Sequence, residues 1–164
     1  MNLNSYIKEV PDFPKTGIIY KDIQPLLADP KAFKHAIVGM KNITNSLKRG
    51  KVDYWVGIES RGFIFASALA RETNGGFKMI RKPGKLPNQN NLISLQYDLE
   101  YGSDTIEMEK GKGKVIIVDD VYATGGTMQA AKELCIEAGY KVLDTVCLLD
   151  IGLIEGHDTK VLLK

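Results

Sequence analysis

Asp119 and Asp120 stand a few residues ahead of Ala123-Thr124-Gly125-Gly126-Thr127. Two glycines let a backbone turn its N–H groups toward an anion. Threonine hydroxyls add donors, and a helix beginning there supplies orphan amides and the positive end of a dipole. Such a run is a phosphate cradle. Two acids beside it would repel that phosphate, so they must face another part of the same ligand, and ribose hydroxyls or a bound magnesium ion suit them. The combination reads as a site for a ribose phosphate. It is not a P-loop, because no lysine follows the glycines in GxxxxGK[ST] spacing, and no GxGxxG follows a strand.

The elements that must position these residues are legible on either side. Val115-Ile116-Ile117-Val118, bounded by Lys114 and Asp119, predicts a strand buried on both faces, as inside a parallel sheet. Met128, Ala131, Leu134, Cys135 and Ala138 share one face of the helix that follows, and Gly139 ends it. A second unit repeats the plan: a strand over residues 52–58, the turn Glu59-Ser60-Arg61-Gly62, and an apolar helix over residues 63–71. After Gly75-Gly76, a strand over residues 77–80 ends in Arg81-Lys82-Pro83-Gly84-Lys85. That basic run falls where open α/β sheets bind ligands, outside the carboxyl ends of their strands.

Residues 86–91 are polar and turn-rich, and residues 92–108 alternate loosely, as in a mobile hairpin that would act as a lid. Residues 142–149 and 161–163 predict two more strands. Near the start, Leu3, Tyr6, Ile7 and Val10 fit a short amphipathic helix stopped by Pro11, and residues 11–27 a small irregular cap. Asp29-Pro30 opens a helix whose stripe of Phe33, Ala36, Ile37, Met40, Ile43 and Leu47 runs to Gly50, with His35 at its edge on the surface. Strands and helices alternate, which argues for an α/β fold: a twisted, mostly parallel sheet with helices on both faces.

Composition bounds the partners. The 164 residues are enough for one domain, and 44% hydrophobic with 26% charged residues is the balance of a soluble globular chain. A formal charge of +2 is too slight to argue for nucleic acid or an anionic membrane, so anion binding must come from local clusters. The start has no signal-peptide pattern and no apolar run is long enough to span a bilayer, which predicts a protein neither secreted nor inserted. Cys135 and Cys147 lack metal or redox spacing, and core thiols of this kind suit a reducing cytosol.

Residues 115–128 resemble the phosphoribosyl diphosphate (PRPP) signature of the type I phosphoribosyltransferases. The likeness extends along nearly the whole chain to the adenine phosphoribosyltransferases. Residues 11–23 (Pro11-Asp12-Phe13-Pro14 onward) resemble that family's base-covering hood, and Glu59-Ser60-Arg61-Gly62-Phe63 its diphosphate loop. Residues 81–87 resemble the strand end leading into its catalytic loop, and Leu99-Glu100-Tyr101-Gly102 that loop's tip. The resemblance implies one type I phosphoribosyltransferase domain over residues 1–164. An N-terminal helix and hood would occupy residues 1–27, and a mobile catalytic loop residues 82–108. Thr16 and Tyr20 depart from the family's usual proline and phenylalanine, and Gly156-His157-Asp158-Thr159-Lys160 from its usual Gly-Arg-Glu-Lys-Leu.

The activity so implied joins adenine to PRPP, giving AMP and diphosphate, a purine-salvage reaction of a cytoplasmic homodimer with small-molecule substrates. Asp119 and Asp120 would hold the ribose hydroxyls, and Ala123, Thr124, Gly125, Gly126 and Thr127 the 5′-phosphate. Breaking the C1–O bond expels diphosphate, whose charge must be neutralised. Ser60, Arg61, Arg81, Lys82, Lys85 and Tyr101 would serve PRPP, with Mg2+ arriving on PRPP rather than on protein ligands, water-bridged to Asp119 and Asp120. Catalysis would fall to Arg61 and Glu100, the latter moving the proton at the base when the lid shuts. Ala123 stands where hypoxanthine-guanine enzymes carry an acid near the purine. By the same resemblance Ile19 and Lys21 offer backbone contacts to the adenine edge, and Tyr20 and Ile151 sandwich its faces. Two alternatives stay open: another purine base, or a non-catalytic PRPP-sensing regulator. The latter lacks a separate basic or helix-turn-helix segment.

Overall fold

The structure is a computed structural model and describes residues 1–44, 50–99 and 102–164. A 3-10 turn at Leu3–Tyr6 leads into β1 (Lys8–Pro11), β2 (Ile19–Asp22), α1 (Gln24–Ala28) and α2 (Pro30–Ile43). Then come β3 (Tyr54–Ile58), α3 (Gly62–Thr73), β4 (Gly76–Ile80), β5 (Leu92–Leu99) and β6 (Gly102–Glu109). The chain closes with β7 (Lys114–Tyr122), α4 (Gly126–Glu137), β8 (Lys141–Asp150) and β9 (Lys160–Leu163).

The β-branched run forms the centre of a five-stranded sheet in the order β4-β3-β7-β8-β9, with every neighbouring pair parallel. Successive side chains of a strand point to opposite faces, so each strand serves two cores. Ile116 and Val118, with Trp55, Val146 and Leu148, pack into the layer built by α2 and α3. Val115 and Ile117, with Val56, Ile58 and Cys147, pack into the layer built by α4 and the β5–β6 hairpin. Each fully buried aliphatic side chain contributes roughly 1.5–3 kcal/mol, and a sheet covered on both faces explains why its strands read as apolar runs rather than alternations.

Local chemistry sets the element ends. Asp29 caps α2 as expected, its Oδ1 accepting from the amides of Lys31 and Ala32 at 2.9 and 2.8 Å. Trp55 is wholly buried, and its indole N–H donates to Thr73 Oγ1 at 2.7 Å, so its polar atom is satisfied. His35 is exposed.

The sheet also determines where a ligand can sit. From β3 the chain steps outward to β4 on one side, and from β7 to β8 and β9 on the other. The order therefore reverses between β3 and β7, and the crevice outside their carboxyl ends is a topological switch point. Four segments that carry candidate site residues leave the sheet at that end: Glu59-Ser60-Arg61 after β3, Arg81 after β4, the glycine loop after β7 and Ile151 after β8.

Three expectations need correction. The N-terminal amphipathic helix is one 3-10 turn, after which residues 8–11 pair antiparallel with β2, Val10 opposite Tyr20. All of β1 is exposed, so a helix would have had no core to bury Val10 against, whereas strand pairing satisfies its backbone. The irregular cap is thus a two-stranded hairpin followed by α1. The central strand does not stop at Val118: hydrogen bonding to β8 continues through Asp119, Val121 and Tyr122, which places both acids on the strand itself. The α2 helix ends at Ile43 with Thr44 as its C-cap, and Leu47 lies outside the described residues.

The hairpin forms as expected, β5 and β6 pairing from Leu92 opposite Glu109 to Leu99 opposite Gly102. Reciprocal backbone hydrogen bonds between Arg81 and Glu107, at 3.0 and 2.8 Å, tie it to the end of β4. It therefore lies over the same end of the sheet as the loops.

Candidate active site

The residues at the switch point line a cavity of about 360 Å³, with Ser60 and Arg61 from the β3–α3 turn, and Asp119, Asp120, Ala123 and Thr127 from β7 and its loop. Lys82, Tyr97 and Asp104 line it from the hairpin side. A smaller recess of about 80 Å³ adjoins, lined by Asp119, Ala123, Thr124, Gly125 and Thr127. Gly125 has φ +83° and is the N-cap of α4, which carries no side-chain cap and no acid in its first turn. The opening amides of α4 are thus left for an anion, with the positive end of the helix dipole behind them. A Cβ on Gly125 would lie 2.4 Å from the Tyr122 hydroxyl, so this turn requires glycine for space as well as for its backbone angle.

The acid pair is held in place by close packing of α3. A Cβ on Gly62 would come within 2.6 Å of the Val118 carbonyl and 3.1 Å of Asp119 Oδ1, so only glycine lets the start of α3 approach the end of β7. Arg61, one residue earlier, thereby reaches Asp120: its Nε is 2.8 Å from Oδ2. That contact is an ion pair without hydrogen-bond alignment, and Asp120 Oδ2 is buried without a hydrogen-bond donor. A buried carboxylate oxygen left in this state suits a ligand hydroxyl. Burial, then the charge of Asp120, pushes the Asp119 carboxyl well above the usual range. Burial likewise pushes Asp120 up, opposed by Arg61.

Arg61 has a second partner. Its Nη1 donates to the Tyr20 hydroxyl at 2.5 Å, with the guanidinium carbon 5.1 Å from the ring centroid. Tyr20 in turn meets Phe13 edge-on, with centroids 5.2 Å apart. The N-terminal hairpin is therefore joined to the acid pair through one guanidinium. Lys21 and Ile151 line a separate cleft of about 910 Å³ between the N-terminal hairpin and the ends of β8 and β9. Ile19 is exposed on the hood strand, and Lys21 Nζ is paired with Glu9.

The basic arm is engaged with acids that the sequence reading did not single out. Glu59 takes Lys85 Nζ at 2.5 Å, Arg81 Nη2 at 3.3 Å and the Lys82 amide at 2.8 Å. Burial works against that carboxylate, but Lys85, the Lys82 amide and Arg81 outweigh it and lower its pKa to about 2. Lys82 Nζ pairs with Asp104, whose Oδ2 is 3.4 Å from the Tyr97 hydroxyl; that hydroxyl lies 3.5 Å from Thr127 Oγ1. Period-2 alternation along the hairpin was the signal available for Tyr97 and Asp104, which sit opposite one another in register. Glu100 and Tyr101 lie outside the described residues. Among the described residues, no group of three or more His, Cys, Asp or Glu is placed to hold a metal ion. Burial raises Cys135 to about 12 and Cys147 well above its usual value, so neither thiol is poised for chemistry.

Residues 23–161 match the family model described as a phosphoribosyl transferase domain. An adenine phosphoribosyltransferase of Hydrogenovibrio crunogenus is 54% identical over 159 residues, covering 95% of this chain and 90% of its own. The chain belongs to the adenine phosphoribosyltransferase family. Among solved structures, the family member from Saccharomyces cerevisiae, complexed with an imino-altritol bisphosphate and adenine, superposes with a TM-score of 0.87 at 34% identity. The match covers 97% of this chain and 94% of that one. The Giardia lamblia enzyme, complexed with 9-deazaadenine, gives 0.86 at 34% identity over 99% of this chain and 95% of that one. The five-stranded parallel sheet with helices on both faces is thus the type I phosphoribosyltransferase fold.

The raised carboxyls of this family member carry a stability cost with a definite sign. A carboxyl whose folded pKa is raised holds its proton longer folded than unfolded. Stability therefore falls as pH rises from the unfolded value of about 3.9 through the raised one. Asp119→Asn cannot ionise, so its thermal midpoint should exceed that of the wild type at pH 7, with the gap closing toward pH 3. Melting curves across that range check this, and an asparagine variant less stable at pH 7 would contradict the burial argument.

Proposed function

We propose that this chain catalyses the family's reaction: adenine N9 attacks C1 of PRPP, the C1–O bond breaks with its electron pair leaving on diphosphate, and AMP forms. The observation that carries the proposal is the gathering of Asp119, Asp120, Arg61, Ala123 and Thr127 around one cavity at the switch point, in a chain closely related to adenine phosphoribosyltransferases. The ligands of the yeast and Giardia relatives, adenine with a sugar-like bisphosphate and 9-deazaadenine, support adenine as the base.

Each group has a proposed task. The α4 amides, Thr124 and Thr127 bind the 5′-phosphate, while Asp119 and Asp120 accept from the ribose hydroxyls. Ser60 and Arg61, with Arg81, Lys82 and Lys85, neutralise the departing diphosphate; charge that develops only as the bond breaks is stabilised most in the transition state. Tyr101 is assigned to PRPP from the lid. Magnesium, when bound, shares that negative charge, and the carboxylates of Asp119 and Asp120 in the cavity wall suit water-bridged contact with an ion carried on PRPP. Tyr20 and Ile151 cover the base, and the backbone of Ile19 and Lys21 reads its edge. Glu100 takes the N9 proton, so that neutral adenine is not left cationic at the ring.

Incubation with PRPP, magnesium and, in turn, adenine, hypoxanthine, guanine, xanthine and orotate tests the base. Adenine should be consumed fastest, and preference for any other base would remove the assignment. Glu100→Gln should lower kcat by about 10²–10⁴-fold with PRPP affinity retained, and an unchanged single-turnover rate would take the proton from that residue. We also propose a homodimer working in the cytosol. Ile64, Phe77 and Met79 expose apolar surface on and beside the edge strand β4, and the two cysteines are free and buried. Light scattering at micromolar concentration should give twice the chain mass of 18.2 kDa, and a monomer would refute the dimer.

A further inference from the structure

Lys82 is held at both ends. Its amide donates to Glu59 Oε2 at 2.8 Å, which fixes the backbone at the cavity edge, and its Nζ meets Asp104 Oδ2. Asp104 lies on the hairpin strand β6, lines the same cavity as Asp119, Asp120 and Arg61, and is anchored through Oδ1, which accepts from the Thr105 amide at 2.8 Å. Its Oδ2 also faces the Tyr97 hydroxyl at 3.4 Å, and that hydroxyl lies 3.5 Å from Thr127 in the glycine loop. A carboxylate therefore stands on the lid side of the cavity, bonded to a cation that the leaving group needs.

We propose that Asp104 is an internal counter-ion that sets PRPP affinity: it occupies Lys82 Nζ while the cavity is empty and is displaced from it by the incoming diphosphate. The inference rests on reading this cavity as a PRPP site. A diphosphate close enough to bind Nζ would face the Asp104 carboxylate across a few ångströms, and like charges at that range repel. Lys82 must exchange one anion for the other. The side chains of Lys82 and Asp104 are 40% and 26% exposed, so the pair is a weak, solvent-screened one that a multiply charged ligand can open. Until then it holds β6 against the strand end that carries the basic arm. Asp104 touches no reacting atom; it acts through Lys82 and is a positioning residue.

Calorimetric titration with Mg-PRPP in the absence of any base tests this on the intact protein. Asp104→Asn should bind PRPP about two- to fivefold more tightly, whereas Asp104→Glu, which keeps the charge, should stay near wild type. The gain should vanish when Asp104→Asn is made in a Lys82→Ala background. Melting curves of each variant confirm folding before titration. An Asp104→Asn affinity equal to or weaker than wild type, or a gain that persists without Lys82, would overturn the counter-ion role. A wild-type protein that binds no PRPP would instead overturn the site reading beneath it.

Discussion

The arrangement at the active end depends on finishing a central, doubly covered strand with two adjacent carboxyls. Taking an ionised carboxylate out of water costs several kcal/mol even after relaxation. At the end of β7 two meet that cost side by side. The chain offsets it in two ways: the Arg61 guanidinium is brought to 2.8 Å of Asp120, and the carboxyl pKa values rise, so that the charge is partly given up. The first depends on Gly62, whose missing Cβ lets the start of α3 approach the Val118 carbonyl. A sheet selected for stability alone would not end this way. The conflict between local chemistry and packing marks the site as surely as any motif.

The cationic side of the cavity follows a complementary rule. Four basic groups, Arg61, Arg81, Lys82 and Lys85, are gathered near one crevice, and unopposed they would repel each other and splay. Each has an acidic partner: Asp120 for Arg61, Glu59 for Arg81 and Lys85, and Asp104 for Lys82. The site is therefore close to electrically balanced before any ligand enters. The Lys82–Asp104 pair has the most exposed acid of these and so is the most readily rearranged, whereas Asp120 and Glu59 are largely buried.

The sequence carried what is local along the chain and little of what is not. Four β-branched residues, a glycine pair and an apolar face at i, i+3 and i+4 spacing are complete signals within twenty residues. The strand, the loop and α4 accordingly appear where expected. Asp119 and Asp120 looked like turn residues because aspartate is poor in strands, yet pairing with β8 on one edge of β7 carries the strand through them. The N-terminal helix failed for the opposite reason: Ile7 and Val10 have helical spacing, but β2, the partner that makes β1 extended, lies about ten residues away and leaves no trace in that spacing. Glu59 and Asp104 were passed over because their value lies in ion pairs to Lys85 and Lys82 across the fold. No neighbouring residue announces a contact of that kind.

The departures from the family's usual residues acquire a physical account once the fold is in place. A phenylalanine at position 20 could stack on a base but could offer Arg61 nothing polar, whereas the Tyr20 hydroxyl accepts from Arg61 Nη1 at 2.5 Å. The guanidinium that balances Asp120 is thereby also fastened to the N-terminal hairpin, so Tyr20 and the acid pair share one side chain. His157 makes a similar substitution of partners. Its ring lies 4.0 Å from that of Tyr122, with Nε2 3.2 Å from Asp150 Oδ2 and Nδ1 3.2 Å from the Thr159 carbonyl. Tyr122 is the residue whose hydroxyl abuts Gly125, so the imidazole buttresses the glycine loop from behind. In both places the departing side chain makes its own hydrogen bonds, Tyr20 to Arg61 and His157 to Asp150 and the Thr159 carbonyl, and each also touches a neighbour of the cavity: Tyr20 through Arg61 itself, His157 through the ring of Tyr122.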